Sequence, residues 1–269
     1  MSIMSSPEAT LLAPTNEETI PVCAGWFGSW KISVRRRVLT DPQLADCYDR
    51  AAKNWNRSIE RLGIPGSYQA MLQLVLASQK TKNRSGTLNV LDCGIGTGAL
   101  SVALARTLPE PFSLEGVDLS AEMLRHAGSN LAAHKIDAKL AQADVRALPF
   151  TDGTFDLVMA GHLPEHLSNP VSAMKEIARV QKPGGILIAS LTRDSWAGKY
   201  IQVRWHTHIV TLNRAENWFT TAGLVEAHSL LAPRKGLFKQ ISVVCTGRKP
   251  GGILNDPKGG SACSTTKED

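Results

Sequence analysis

The sequence lacks any run of about eighteen apolar residues, the length a helix needs to cross a bilayer, so no membrane-spanning segment is expected. It is poor in cysteine. The five present (Cys23, Cys47, Cys93, Cys245 and Cys263) are odd in number and scattered. None forms a paired metal-ligand spacing or a disulfide framework, so no metal is expected and a reducing, cytoplasmic setting is. No internal repeat is visible. Residues 1–20 carry Glu8, Glu17 and Glu18 and lack a charged start followed by an apolar core, which argues against a secretory leader. Both 1–20 and 249–269 offer little apolar surface and read as disordered tails. What remains is ample: 269 residues, 43% hydrophobic, can bury a sizeable core.

The stretch that organises this chain is Asn89–Leu104, NVLDCGIGTGALSVAL. Val90 and Leu91 lead to Asp92, then Gly94, Gly96 and Gly98 alternate, and a helical pattern starts at once. This reads as buried strand, tight turn, helix. Glycine serves where a backbone needs positive φ or a ligand must approach the main chain. The helix start then offers unpaired N–H groups to a ligand. The spacing differs from the dinucleotide fingerprint Gly-x-Gly-x-x-Gly, so the context must identify the ligand. The next strand ends in Asp118, twenty residues after Gly98, where an acid can accept from two ribose hydroxyls or cap the helix starting at Ser120. A further strand, 138–144, ends in Asp144.

From Leu88 strands and helices alternate: strand 88–93, helix 99–108, strand 113–118, helix 120–134, strands 138–144 and 155–160, helix 171–181, strand 185–191. Helix 214–222 and strands 225–230 and 240–247 follow. Alternation at this spacing implies α/β architecture with a parallel, doubly wound sheet covered on both faces. Upstream, Asp46–Leu62 has helical spacing, with Tyr48, Ala51, Ala52, Trp55, Ile59 and Leu62 on one side, and Tyr68–Leu76 forms a second helix. Residues 21–86 are thus expected to be a mainly helical cap. Within it, 22–38 interleaves Trp26, Phe27 and Trp30 with Lys31 and Arg35–Arg37. That pattern fits either a membrane-surface contact or a strand or short helix whose aromatics pack on the domain while the arginines face water.

Five pieces in order, VLDCGIGTG (90–98), GVDLSAEML (116–124), AQADVRALPF (141–150), FDLVMAGHLPEHL (155–167) and RVQKPGGILIAS (179–190), resemble the class I S-adenosylmethionine (SAM) dependent methyltransferases. They are similar to the branch that includes ubiquinone and menaquinone biosynthesis enzymes, over roughly Asp46 to Arg248. The resemblance implies a Rossmann-like, mostly parallel seven-stranded sheet closed by a C-terminal antiparallel hairpin, spanning 87–248, with SAM as cofactor. It implies that Gly94, Gly96 and Gly98 admit the methionine and ribose parts, and that Asp118 and Leu119 sit at the ribose. Asp144 and Val145 would meet the adenine, and Gly161 would lie near the methyl. Met123 packs either on the adenine or in the core, and Asp92 orients either the ligand or its own turn. Tyr48 matches a lid position, and Trp55 is either lid or core.

Methyl transfer needs an in-line nucleophile and exclusion of water, with a base only when the nucleophile starts protonated. His162, Glu165 and His166, just after the fourth strand, are the base candidates, with His162 and His166 favoured because imidazole titrates near neutrality. Pro164 stands where the family usually has leucine, and a proline suits a helix restart. The segment 192–212 is where the family builds its acceptor pocket, and Trp196, Tyr200, Arg204 and His206 are candidates there, with His162 and Trp55 completing the wall. Residues 192–249 hold nine Lys/Arg against three Asp/Glu, equal to the whole chain's excess of six. That suggests either an anionic acceptor or a solvated basic face. The expected acceptor is a small-molecule metabolite, with a lipid or quinone at a membrane surface as the alternative. No nucleic acid is expected, since the basic residues are dispersed and no Asn-Pro-Pro-aromatic tract follows the fourth strand.

Overall fold

The computed structural model describes residues 19–37, 39–61, 63–78, 86–167, 169–205, 207–208, 210–231 and 242–251. The chain opens with β1 (Thr19–Phe27) and β2 (Trp30–Arg37), then α1 (Asp41–Arg61) and α2 (Ile64–Ser78). There follow β3 (Leu88–Cys93), α3 (Ala99–Thr107), β4 (Phe112–Asp118), α4 (Ala121–Ala133), β5 (Ala138–Gln142) and β6 (Phe155–Gly161). A 3₁₀ turn over Pro164–His166 leads to α5 (Pro170–Val180), β7 (Gln181–Thr192), α6 (Trp196–Trp205), α7 (Leu212–Thr221), β8 (Val225–Leu231) and β9 (Ser242–Arg248).

The main sheet has seven strands in the order β5-β4-β3-β6-β7-β9-β8. β5, β4, β3, β6 and β7 are parallel, and β9 pairs antiparallel with both β7 and β8. Chain order reverses direction between β3 and β6, so the crevice beyond their carboxyl ends is the topological switch point. Successive strand residues feed opposite faces. Leu91, Cys93, Val158 and Ala160 pack with Met174 and Ile177 of α5 and Trp218 and Phe219 of α7. Val90, Leu157 and Met159 pack with Met71 and Leu72 of α2, Leu104 of α3 and Leu131 of α4. Strands buried on both faces explain the near-continuous apolar runs read in the sequence.

Several local expectations need correction. Helix α1 begins at Asp41, not Asp46, because Thr40 N–H donates to Gln43 Oε1 at 3.1 Å, half of a Thr-x-x-Gln capping box. The strand expected to reach Asp144 ends at Gln142, which leaves Asp144 in a turn. Helix α7 starts at Leu212, since Thr211 Oγ1 accepts from Arg214 N–H. Pro164 opens a 3₁₀ turn of three residues rather than the following helix, which starts anew at Pro170 behind the cap Asn169. The cap segment is not wholly helical: β1 and β2 pair antiparallel through the two-residue turn Gly28–Ser29, where Gly28 takes φ +59°. Nor do its aromatics pack inward, for Trp26 is 73% exposed, Phe27 77% and Trp30 62%. The expected tails lie outside the described residues except for 19–20 and 249–251.

Candidate functional site

The glycine turn is fastened to the end of the neighbouring strand. Ile95 N–H donates to Val117 O at 2.9 Å, and Gly96 N–H donates to Asp118 Oδ2 at 2.8 Å. The close approach needs room, and Gly116 supplies it, since a Cβ there would come within 2.5 Å of Ile95 Cδ1. Asp118 Oδ1 accepts from Ser120 N–H at 2.9 Å, so one carboxylate spans the glycine turn and the start of α4. Burial raises the Asp118 pKa, against the lowering effect of these N–H donors. Ser120 caps α4 by accepting from Met123 N–H at 3.0 Å, and its hydroxyl donates to Asp49 on α1. Asp49 therefore latches α1 across the mouth of the site.

Above these strand ends lies a cleft of about 790 Å³, open to solvent. Its lining includes Gly94, Gly96, Asp118, Leu119, Met123 and Val145, together with Tyr48, Gly161, His162 and His166 and the apolar Leu44, Leu163 and Leu167. Gly161 is required for contact with α2, since a Cβ would stand 2.8 Å from Tyr68 Oη. Tyr48 Oη lies 2.9 Å from His166 Nε2 and 3.2 Å from Nδ1, so the phenol covers the imidazole edge. Burial pushes the Tyr48 pKa well above the usual phenol value, so it stays protonated. Tyr48 also meets Trp55 edge-on at 5.3 Å between centroids, and Trp55 meets Trp205 of α6 at 4.5 Å.

Three expected cofactor residues stand outside the cleft wall. Asp92 is buried, turned to α3, and accepts from Ser101 Oγ at 2.6 Å; its other oxygen has no partner, and burial raises its pKa to about 7. Gly98, at φ +81°, caps α3 and makes room for Leu131, which a Cβ would approach to 3.3 Å. Asp144 is held by the Arg146 guanidinium, with Oδ2 2.5 Å from Nη2, and Arg146 keeps its pKa low. Trp55 reaches the site only through Tyr48. His206 lies outside the described residues, as do the side chains of Trp196, Tyr200 and Arg204. None of the described basic side chains of 192–249 lines the cleft. Arg248 bonds Gly184 O and Glu226, Lys249 bonds Arg179 O and Gln181 O, and Arg214 stacks on Trp218.

His162 takes φ +56°, which turns its ring under the cleft. Nδ1 lies 2.9 Å from Glu165 Oε1, and Nε2 lies 3.2 Å from Ser190 Oγ and 3.1 Å from Ser242 Oγ. Ser242 was invisible as a site residue, being 80 positions away; it arrives because β9 inserts beside β7, with Ser242 opposite Thr192. Ser120 and Asp49 were also missed, although Asp49 directly follows Tyr48. Among the described residues no cluster of three His, Cys, Asp or Glu could hold a metal ion.

Residues 90–185, which include the glycine turn, Asp118, Val145 and His162, match a family described as methyltransferase domain. The chain is 35% identical over 147 residues to a demethylmenaquinone methyltransferase of Lactiplantibacillus plantarum, covering 52% of this chain and 59% of that one. It is 37% identical over 101 residues to a 2-methyl-6-phytyl-1,4-hydroquinone methyltransferase of Synechocystis, covering 38% and 31%. The chain thus spans less than two thirds of the length of these relatives. In fold it is similar to a SAM-dependent methyltransferase of Thermotoga maritima, with TM-score 0.58 and 19% identity over 77% of this chain and 99% of that one. The cleft fits SAM on three counts. A Cβ on Gly96 would meet nothing within 4 Å, so its backbone is open to a ligand. Each Asp118 oxygen spends one lone pair on a backbone N–H and keeps another. Leu119, Met123 and Val145 form an apolar wall of the kind an adenine needs. The matched domain, the sheet order and this cradle agree: residues 90–185 match a methyltransferase domain, and the chain is similar in sequence to quinone-biosynthesis methyltransferases and in fold to S-adenosylmethionine-dependent methyltransferases.

Proposed function

We propose that the chain transfers a methyl group from SAM to a small-molecule acceptor of the phenol or hydroquinone class, bound between Tyr48, His162 and His166. The observation that carries this reading is one cleft lined by both the glycine–Asp118 cradle and two histidines, with the apolar Leu44, Leu163 and Leu167 in the same wall. The acceptor class follows from the relatives named for demethylmenaquinone and a hydroquinone, and an apolar wall with few polar groups suits such a ring.

Bound SAM supplies an electrophilic methyl on a sulfonium. The chain's own residues do the rest. Asp118 accepts from the ribose hydroxyls, the backbone at Gly94 and Gly96 admits the methionine part, and Leu119, Met123 and Val145 pack on the adenine. His166 accepts the proton of an acceptor hydroxyl, which takes the place Tyr48 Oη holds against it. His162, fixed at both nitrogens, forms the floor that orients the ring for in-line attack. Trp55 and Trp205 close the lid over Tyr48 and keep water out. Arg214, Arg248 and Lys249 are engaged elsewhere and give no support to an anionic acceptor.

The test is label transfer. Protein incubated with methyl-labelled SAM and a short-chain demethylated quinol should label the quinol. Label appearing instead in polar metabolites or RNA of a cell extract would sink the acceptor class. Absence of SAM binding by calorimetry would sink the cradle itself.

A further inference from the structure

We infer that the β1–β2 hairpin docks the protein on an anionic lipid surface. Its turn carries the most exposed large apolar side chains among the described residues: Phe27 77%, Trp26 73%, Trp30 62% and Ile32 55%. Elsewhere among the described residues no large apolar side chain exceeds 44%. Here Phe27, Trp30 and Ile32 share one face of the hairpin, since Phe27 pairs with Trp30 and Gly25 with Ile32, and Trp26 stands at the same turn on the other face. Leaving that surface in water is unfavourable, and a contiguous patch of this kind marks a contact.

The chemistry of the patch points to the bilayer interface. Tryptophan and phenylalanine settle at headgroup level, where a ring is half in hydrocarbon. Strand alternation puts Phe27, Trp30 and Ile32 on one face of the hairpin, and Trp26, Lys31 and Arg35 on the other. Residues 19–37 hold Lys31, Arg35, Arg36 and Arg37 and no Asp or Glu. A purely basic hairpin complements the negative potential of phosphatidylserine-type lipids. A hairpin that reads RNA would have little use for the exposed aliphatic Ile32. No helix among the described residues is long and apolar enough to cross a membrane, so the contact is with the surface.

The position suits the site. β1 lies against α6, and α6 carries Trp205, which meets Trp55 of the lid helix α1. A docked hairpin sets the lid beside the bilayer, where an apolar ring compound dissolves. This last step rests on the proposed acceptor class; the docking itself does not.

The experiment is co-sedimentation of the full chain, without SAM or acceptor, with vesicles of phosphatidylcholine alone or mixed with phosphatidylserine. Binding to mixed vesicles, weak binding to phosphatidylcholine alone and release at molar salt are expected. The variant carrying Trp26→Ser, Phe27→Ser and Trp30→Ser should stay in the supernatant while binding SAM as the parent does. Should that variant fail to bind SAM, the exposed pair Lys31→Glu and Arg35→Glu carries the test, with binding to mixed vesicles lost. Docking is overturned if the parent ignores both vesicles or if neither variant changes sedimentation. It is equally overturned if sedimentation velocity shows the apolar variant dissolving a dimer that forms without lipid. Methyl transfer to a water-soluble quinol is read separately, so failure of docking and failure of the acceptor class are distinguishable.

Discussion

Glu165 holds His162 from below: its Oε1 lies 2.9 Å from His162 Nδ1 and also accepts from Thr192 N–H and Oγ1, each at 2.8 Å. The carboxylate is fully buried. Burial alone would push its pKa up, but the His162 hydrogen bond, the neighbouring His162 and His166 and the Thr192 hydroxyl outweigh it, and the net direction is down. An ionised carboxylate at Nδ1 makes that nitrogen the donor, so Nε2 accepts from Ser190 and Ser242. His162 is thereby fixed at both nitrogens, and in the proposed function it is His166, beside Tyr48, that meets the acceptor.

Glu165→Gln should therefore lower turnover well beyond any loss of SAM affinity, because the ring it orients tilts while the cradle stays. Its cost in stability at neutral pH should be about 1.5–3 kcal/mol, the range for a hydrogen bond to a charged group. The sign of the pH effect follows from the lowered pKa. The contribution of Glu165 is present above its unfolded value of about 4.5 and is lost as pH falls through the lower folded value. Urea melts at neutral and acid pH should show the variant and parent converging in acid. A gap that persists there would contradict a buried ionised carboxylate at Glu165.

Asp118→Ala should weaken SAM binding by about 1–3 kcal/mol, since it removes the proposed ribose acceptor and the anchor for Gly96 and Ser120. Burial raises the Asp118 pKa, so SAM affinity in the parent should begin to fall at a higher pH than an ordinary carboxylate would dictate. Calorimetry across the acid range checks both. Unchanged affinity in the variant would mean that the ribose sits elsewhere.

Asp92 gives the opposite stability signature to Glu165. Its pKa is raised from 3.8 to about 7, chiefly by burial. A carboxyl that holds its proton more tightly when folded loses stability for the fold as pH rises from the unfolded value through the folded one. Between about pH 4 and 7 the parent should lose at most about 1.4 kcal/mol per pH unit from this group. Asp92→Asn keeps an acceptor for Ser101 and has no proton to lose, so that slope should vanish. An identical slope in parent and variant would show that Asp92 ionises freely.

The sheet was legible because its strands are buried on both faces, and buried strands such as Leu157–Ala160 write uninterrupted apolar runs. The cradle was legible because Gly94 and Gly96 need positive φ and Asp118 ends a strand, both local facts. What could not be read depends on contacts between distant segments. Asp144 was expected at the adenine, but Arg146 two positions on holds its carboxylate. For Trp26 and Trp30 the sequence left surface contact and inward packing both open, and only the pairing of β1 with β2 shows them exposed. Ser242 reaches His162 solely through the insertion of β9.

His162 offers a test of geometry apart from chemistry. Its φ of +56° lies in the left-handed region, which costs a residue with a Cβ about 1–2 kcal/mol and glycine almost nothing. The position tolerates this because the ring is tied to Glu165, Ser190 and Ser242, and because His162 N–H donates to Ser190 O at 2.7 Å. His162→Ala keeps the strain and loses every ring contact. His162→Gly loses the same contacts and relieves the strain, so despite glycine's larger unfolded-state entropy it should be no less stable than the alanine variant. Both should lose turnover to the same extent if the imidazole is what matters, because neither can form the floor of the acceptor site. Thermal melts and initial rates on the pair separate the effects. An alanine variant more stable than the glycine variant would mean that the backbone at 162 relaxes out of the left-handed region once the ring is gone, and that the ring contacts, not the chain, set its conformation.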